Sequence, residues 1–213
     1  MTFTSFVTAV LLLLALQPDP NPPRGPRWPM FRGINATGLS PGTPPLTWNV
    51  ADGTRVRWKT RIPGTGHSSP IVWDNRIFLT TATSAAASTV ERGTTTGRAT
   101  VKDDGAQRWQ VLCLDRSTGR ILWERTAHEG TPKIGRHPKA SHANSSPVTD
   151  GRHVVAYFGS EGLHAYDVEG RHLWSKDLGV IDVGYVGLEE YQWSTASSPV
   201  IHDGLVIIQA DAQ

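Results

Sequence analysis

The sequence has little of what several common functional classes require. Its single cysteine, Cys113, excludes a disulfide within the chain. Because Cys113 lies in an apolar, strand-like run at 111–114, we predict that it is a small buried core residue. Basic and acidic side chains nearly balance, 21 against 19, and are scattered singly, so the concentrated basic patch of a nucleic-acid-binding protein is missing. The sequence also lacks a phosphate loop, a zinc-protease motif, a nucleophile elbow and a Cys-x-x-Cys pair.

Helix-favouring stretches of Ala, Leu, Glu and Lys are scarce, whereas glycine and proline are plentiful, at 21 and 15 residues. This composition favours many short strands joined by turns. One hydrophobic run, at residues 6–16, is about as long as the core of a signal peptide and too short to span a bilayer. We therefore predict that residues 1–17 are a signal peptide or an N-terminal anchor, with a buried strand or helix as the alternative. A signal or an anchor would place the protein outside the cytoplasm, in the periplasm or secreted.

No cysteine follows the hydrophobic run closely, which argues against a lipoprotein anchor. Residues 18–54 are predicted to be an extended lead-in rich in proline and glycine. Beyond it, the tripeptide Ser-Ser-Pro opens three similar stretches, each continuing with apolar residues, a polar turn and a β-prone run; they begin at Ser68, Ser145 and Ser197. Two of the turns contain Asp-Gly, which is a hairpin signal because such turns need residues that tolerate positive φ. Recurrence in every repeat indicates that these serines are architectural rather than nucleophilic.

A second module recurs further along the repeat. In residues 115–123 and 167–174, a strand ends in Asp, a turn closes on Gly, and Trp follows four positions after that Gly. The glycine supplies backbone freedom, the aspartate accepts hydrogen bonds from turn amides, and the tryptophan can cover the hairpin and pack on a neighbouring sheet. A weaker copy ends at position 58, with one extra residue before the tryptophan. The predicted structural residues are therefore Asp115, Gly119, Trp123, Asp167, Gly170, Trp174 and Trp58.

The repeats are spaced by about 50 residues, a length that fits the four strands of one propeller blade. We predict an all-β fold in which residues 55–213 form a β-propeller of four-stranded antiparallel blades, incomplete at about two and a half blades. A strand near 55–61 comes first, blade one covers about 68–126, blade two covers about 145–177, and a third blade begins about 197.

The first repeat is longer than the second because of the segment 83–106, which is rich in Ser, Thr, Ala and Gly. Such a composition buries little surface, so we predict a solvated loop inserted into blade one. A propeller protects its sheet edges by closing a ring of four to eight blades. We therefore expect the chain to be a fragment of a longer protein or to need a partner chain.

The element from Asp115 to Trp123 resembles the tryptophan-docking repeat of the quinoprotein (PQQ-like) β-propeller family. The opening sequence at 28–33, Trp-Pro-Met-Phe-Arg-Gly, is similar to the start of exported bacterial members of that family. The resemblance implies one of two functional branches. Some members are periplasmic alcohol or sugar dehydrogenases that hold pyrroloquinoline quinone with calcium, and others are non-catalytic scaffolds. The alcohol dehydrogenase branch often carries a vicinal cysteine pair, and Cys113 is the only cysteine here.

The loops that precede the second and third blades carry the candidate binding residues. In propellers of this type, such loops lie on one face near the central channel, so we predict face contacts from His142, Asn144, Tyr191 and Trp193. His137 and His142 invite a metal interpretation, but a zinc site needs three or four convergent ligands, and we predict no metal site. Glu189 and Glu190 are predicted to be solvated loop acids, since adjacent strand residues point oppositely.

The resulting functional prediction is a non-catalytic binding or scaffold propeller with a protein, peptide or glycan ligand on one face. It has no catalytic residue and no bound cofactor, and it contacts no nucleic acid. Any membrane contact would be through the N-terminal segment. The alternative is the N-terminal part of a quinone-dependent alcohol or sugar dehydrogenase, which would hold pyrroloquinoline quinone and calcium. A sensory domain of a larger membrane protein is a third interpretation.

Overall fold

The computed structural model describes residues 25–84, 99–185 and 187–210. The predicted signal segment 1–17, the start of the lead-in and most of the predicted insertion lie outside the described residues. The described residues contain eleven strands, three short 3-10 turns and no α-helix. None of the described helical segments is long and apolar enough to cross a membrane. The all-β prediction is confirmed.

The first sheet has five antiparallel strands in sequence order: β1 (Arg27–Trp28), β2 (Ile71–Trp73), β3 (Arg76–Ser84), β4 (Gln107–Asp115) and β5 (Ile121–Gly130). β3 and β4 form its longest ladder, which runs from the pair Arg76 and Asp115 to the pair Ser84 and Gln107. β4 is buried over most of its length and lies inside the sheet, between β3 and β5. This sheet is blade one, extended by β1 at its inner edge.

The second sheet repeats the same meander with four antiparallel strands: β6 (Val148–Thr149), β7 (His153–Tyr157), β8 (Leu163–Asp167) and β9 (His172–Lys176). A third sheet consists of a hairpin formed by β10 (Val200–His202) and β11 (Leu205–Ile207). Its two strands correspond to the first half of a blade. The predicted four-stranded antiparallel blades are therefore present.

The first strands of the three sheets lie next to one another, with β6 between β2 and β10. We call the Ser-Ser-Pro segment before the first strand of each sheet the blade entrance. Hydrogen bonds link the three blade entrances one after another. The backbone N–H of Ser69 donates to Oγ of Ser146 at 2.8 Å, and the N–H of Ser146 donates to Oγ of Ser198 at 3.0 Å. The second serine of each Ser-Ser-Pro thus joins one blade to the next around the inner end of the sheets.

The main hydrophobic core lies between the first two sheets. Phe78, Trp109 and Val111 of blade one share a buried cluster with Val154 and Phe158 of blade two. A second cluster fills the space between blade two and the hairpin of the third sheet. Cys113 belongs to the first cluster and is fully buried. Burial raises the pKa of its thiol to about 11.

Two features differ from the sequence predictions. Residues 55–61 form no regular strand, although Trp58 still contacts blade one, as described below. The lead-in is also not simply extended before the blades. Its residues 27–28 add a strand to β2, and the carbonyl of Pro29 accepts a hydrogen bond from the N–H of Thr149 in blade two. The lead-in therefore lies between the inner edges of two blades.

The predicted insertion 83–106 is described only at its ends, where residues 83–84 belong to β3 and residues 99–106 are mostly exposed but bonded to neighbouring loops. Val101 pairs with Arg136 through two backbone hydrogen bonds, and Thr100 donates from N and Oγ1 to carbonyl groups of the loop at 190–192. The segment has few apolar residues, but hydrogen bonds between backbone groups do not require apolar side chains. The end of the insertion in blade one therefore ties together the loops that follow blades one and two.

Candidate functional site

Two of the repeat tryptophans, Trp58 and Trp123, pack on the turn of the following blade. Trp123 lies on β5 of blade one, and its Nε1 donates to the carbonyl of Val168 in blade two at 3.1 Å. The ring covers Gly170, whose φ is +83° and whose hypothetical Cβ would lie 2.7 Å from Cδ2 of the indole. Only glycine satisfies both the positive φ and this approach. The indole therefore contributes to the contact between adjacent blades, in addition to its own sheet.

The same geometry recurs one blade earlier. Nε1 of Trp58 donates to the carbonyl of Arg116 at 2.9 Å, and the ring covers Gly119, whose φ is +74°. Two residues beyond each tryptophan, a side chain bonds the carbonyl of the covered glycine: Thr60 bonds Gly119 at 2.6 Å, and Arg125 bonds Gly170 at 2.7 Å. The weaker sequence copy at Trp58 is therefore a full structural copy of the contact.

The remaining repeat residues do not form this contact between blades. Asp115 and Asp167 bond within their own turns, and Trp174 does not cover a glycine turn among the described residues. Oδ1 of Asp115 accepts hydrogen bonds from the N–H groups of Ser117 and Thr118, and bonds from Thr118 hold the pKa of Asp115 below its usual value. Asp167 accepts in the same way from turn amides. Trp174 is 39% exposed and lies on no glycine turn of the described residues.

The opposite face of the blades carries the loops that precede blades two and three. His142, predicted as a face contact, is instead buried in an ionic network. Its Nε2 lies 2.8 Å from Oδ2 of Asp103, and Nε of Arg136 donates to the same oxygen at 2.7 Å. Arg136 also donates to the carbonyl of Ala140 and is 2% exposed. The network fastens the insertion of blade one to the loop before blade two.

The charges in this network are set by burial and by mutual hydrogen bonds. Desolvation alone would raise the pKa of Asp103, but bonds from Arg136 and His142 hold it below its usual value. Burial lowers the pKa of His142, although Asp103 opposes that effect. Sequence reasoning missed Asp103 and Arg136, because neither belongs to the repeat and their long separation gives no spacing signal.

Asn144 stabilises the same loop through hydrogen bonds inside it. Its Oδ1 accepts from the N–H of Ser141 at 3.0 Å, and Oγ of Ser141 lies 3.1 Å from Nδ1 of His67. The indole of Trp109 in β4 donates to the carbonyl of His142 at 3.0 Å. The loop before blade two is therefore held to the strands of blade one by buried polar bonds.

Tyr191 and Trp193 form an aromatic cluster with Tyr185 and His137. The Tyr185 ring lies 5.8 Å from that of Tyr191 and 5.9 Å from that of Trp193, and the His137 ring meets Trp193 edge-on at 5.0 Å. Tyr185 is 52% exposed, whereas Nε1 of Trp193 is buried without a hydrogen-bond partner among the described residues. His137 and His142 therefore contact different residues and do not converge on one site.

A groove of about 430 Å³ opens on this face beside the entrances of the first strands. Phe31 of the lead-in stands at its edge with half of its surface exposed. Polar side chains supply most of the remaining lining: His67, Lys139, Asn144, Ser146, Ser194, Ser197 and Ser198. The groove therefore gathers residues from the lead-in, from both interblade loops and from three blade entrances.

A buried carboxyl lies elsewhere on the same face. Glu161 is in the 3-10 turn after β7, and its Oε1 accepts from the backbone N–H of Lys133 at 3.0 Å. Nζ of Lys133 bonds the carbonyl of Ser160 at 2.8 Å instead of the Glu161 carboxylate. Desolvation raises the pKa of Glu161. The carboxyl serves as an acceptor for the loop before blade two.

Repeated antiparallel sheets whose tryptophans cover the turns of the following sheet define a tryptophan-docking β-propeller. The sequence model of a PQQ-like repeat family, described as outer membrane protein assembly factor BamB, matches residues 105–213, which is just over half of the chain. The chain belongs to this family. The predicted family and the predicted incomplete propeller are therefore confirmed. No curated protein matches the chain.

Proposed function

We propose that the protein is a non-catalytic binding or scaffold propeller that works outside the cytoplasm. Its ligand is a protein, peptide or glycan held on the face that carries the insertion end and the interblade loops. The observation that carries this proposal is the half-exposed ring of Tyr185, which stands with Tyr191 and Trp193 on that face. Aromatic rings are enriched at recognition surfaces because they bury much area with little loss of conformational entropy.

The rigidity of the face supports recognition rather than chemistry. Inside the loops, the ionisable groups of Arg136 and His142 both bond to the carboxylate of Asp103. They therefore hold the loops in place, and a ligand need not order them on binding, which lowers the entropic cost of association. The family, described as an outer membrane protein assembly factor, also favours a scaffold outside the cytoplasm.

The competing function is a quinone-dependent dehydrogenase. Cys113, the only cysteine, is fully buried in the core between the blades. It therefore does not present a sulfur on the face where a ligand would lie, and the described residues do not fit the vicinal cysteine pair of the alcohol dehydrogenase branch. We propose no cofactor for this chain.

Site-specific photocrosslinking in the organism of origin tests the proposal. A photoreactive amino acid replaces Tyr185, and the control replaces Arg152, which is exposed on the turn between β6 and β7 at the opposite face. We expect discrete adducts from position 185 and none of the same size from position 152. Equal adduct patterns would contradict a binding face. Dye-linked alcohol oxidation that requires both pyrroloquinoline quinone and calcium would establish the dehydrogenase instead.

Export is tested separately, because it depends on residues 1–17. Fusing these residues and the lead-in to an alkaline phosphatase that is active only outside the cytoplasm should give phosphatase activity. Replacing two leucines of the run 11–14 by arginine should abolish it, since charges in the apolar core block export. A fusion protein that is made but stays in the cytoplasm without phosphatase activity would contradict the proposed location.

A further inference from the structure

The lining of the groove beside the blade entrances contains several hydrogen-bond donors. Oγ of Ser146 accepts the N–H of Ser69, and Oγ of Ser198 accepts the N–H of Ser146. A hydroxyl that accepts in this way still has its own proton to donate. Neither hydroxyl donates to another group in the described part of the chain. Both protons are therefore available to a group in the groove.

The side chains of Asn144 and Lys139 in the groove also have unused hydrogen-bond donors. Oδ1 of Asn144 is occupied by the N–H and hydroxyl of Ser141, so Nδ2, which donates to no described residue, is its free end. The ammonium group of Lys139 is exposed and pairs with no carboxylate among the described residues. Nδ1 of His67 lies 3.1 Å from Oγ of Ser141, and this ring is not counted among the donors of the groove.

No aspartate or glutamate lies among the described residues that line the groove. The nearby acid of this face, Asp103, is already bonded to Arg136 and His142. Hydroxyl, amide and ammonium donors without a competing carboxylate form an environment that stabilises an anion, since charge-assisted hydrogen bonds are about twice as strong as neutral ones. The groove is therefore complementary to a negatively charged oxygen ligand.

We propose that this groove binds a carboxylate side chain of an acidic peptide segment in a partner protein. The inference rests on the proposed binding function and specifies its ligand. Lys139 pairs with the carboxylate, while Asn144 and the hydroxyls of Ser146 and Ser198 donate hydrogen bonds to it. The half-exposed ring of Phe31 at the edge contacts an apolar neighbour in the same peptide. A free inorganic anion would leave that ring without a partner.

Fluorescence anisotropy tests the proposal with the full-length protein and labelled peptides. One peptide contains Glu-Phe-Glu in a neutral background, and its matched control contains Gln-Phe-Gln. We expect binding of the glutamate peptide only, weakening as salt rises because the pairing is partly screened. Unlabelled phosphate and acetate are added as competitors, and they should displace the peptide only at far higher concentration.

Three variants locate the binding. Lys139→Gln removes the cation and should weaken binding about tenfold, the loss expected for one charge-assisted bond. Asn144→Asp keeps the acceptor for Ser141 but turns the free donor into a negative charge, and should abolish binding. Lys176→Gln removes an exposed lysine of β9 as the matched control and should leave the affinity unchanged.

The outcomes separate this inference from the proposed function. Equal affinity for the two peptides, or equal losses in Lys139→Gln and Lys176→Gln, would overturn the carboxylate site. Phosphate binding as tightly as the peptide would show a small-anion site instead. If the peptide fails to bind while position 185 still gives discrete crosslinks, the groove assignment falls and the binding face stands. Displacement of the peptide by pyrroloquinoline quinone at low concentration would overturn both.

Discussion

Replacing Gly170 by alanine measures the strength of the contact between adjacent blades. Two costs are expected. The positive φ of +83° disfavours any side chain by about 1–2 kcal/mol. The added Cβ would also lie 2.7 Å from the Trp123 ring, and such overpacking costs about 1–3 kcal/mol. The free energy of unfolding should therefore fall by about 2–5 kcal/mol in total.

Gly179 provides the matched control. Its φ is +76°, and a Cβ there would meet nothing within 4 Å, so Gly179→Ala carries only the backbone cost of about 1–2 kcal/mol. Urea unfolding followed by tryptophan fluorescence gives both values from the midpoint and the slope. The excess destabilisation of Gly170→Ala is the cost of the indole contact. Placing Gly170→Ala in a Trp123→Ala background should remove that excess, as a double-mutant cycle would show. Equal destabilisation by the two glycine substitutions would refute the docking geometry.

Three further predictions concern buried ionisable groups. Asp103→Asn should lower the unfolding free energy by about 2 kcal/mol at pH 7, because Arg136 and His142 lose hydrogen bonds to a charged carboxylate. Since the pKa of Asp103 is depressed in the fold, the deficit should be present above about pH 4 and shrink as the pH falls below it, as urea titrations would show. Cys113, with its pKa raised to about 11, should react with a disulfide reagent at pH 8 only after unfolding, and labelling of the native protein would contradict its burial. Burial raises the pKa of Glu161, so the fold favours the protonated carboxyl. The free energy of unfolding should therefore fall as the pH rises above about 4.3 and the carboxyl ionises. Glu161→Gln should therefore be more stable than the parent protein at pH 7, and no pH-dependent difference would refute this.

The repeat was predictable because each of its residues has a local physical requirement. A turn that needs positive φ predicts a glycine, as at Gly119 and Gly170, and a ring that must cover it predicts a tryptophan at a fixed distance. The sequence predicted that Trp123 can cover its hairpin and pack on a neighbouring sheet, and the structure adds that the contacted element is the turn of the next blade. Spacing alone shows that a ring recurs, but the partner of the ring depends on how the sheets are stacked.

The face was less predictable because its contacts join segments that are far apart in the chain. His142 was identified as a candidate, but its partner Asp103 lies 39 residues earlier, in a segment whose composition favours a solvated loop. Burial of His142 depends on that carboxylate and on Arg136, and no periodic pattern links the three. Tyr185 was not predicted to join the aromatic cluster with Tyr191 and Trp193. The two ends of that loop pair through backbone hydrogen bonds, such as the one from the N–H of Tyr185 to the carbonyl of Tyr191. A pattern of side chains in the sequence does not reveal such bonds.

The Ser-Ser-Pro repeat links the architecture of the protein to its proposed binding groove. The second serines of blades two and three use their oxygens to accept an N–H from the preceding blade: Ser146 from Ser69, and Ser198 from Ser146. That acceptance fixes the hydroxyl at the inner end of the sheet but does not use its proton. Successive blades therefore place successive donors, Ser146 and Ser198, around one opening. Alanine at these positions would remove the interblade bond and the donor together. The Lys139 and Asn144 variants are consequently the sharper test, because their substituted groups take no part in joining the blades.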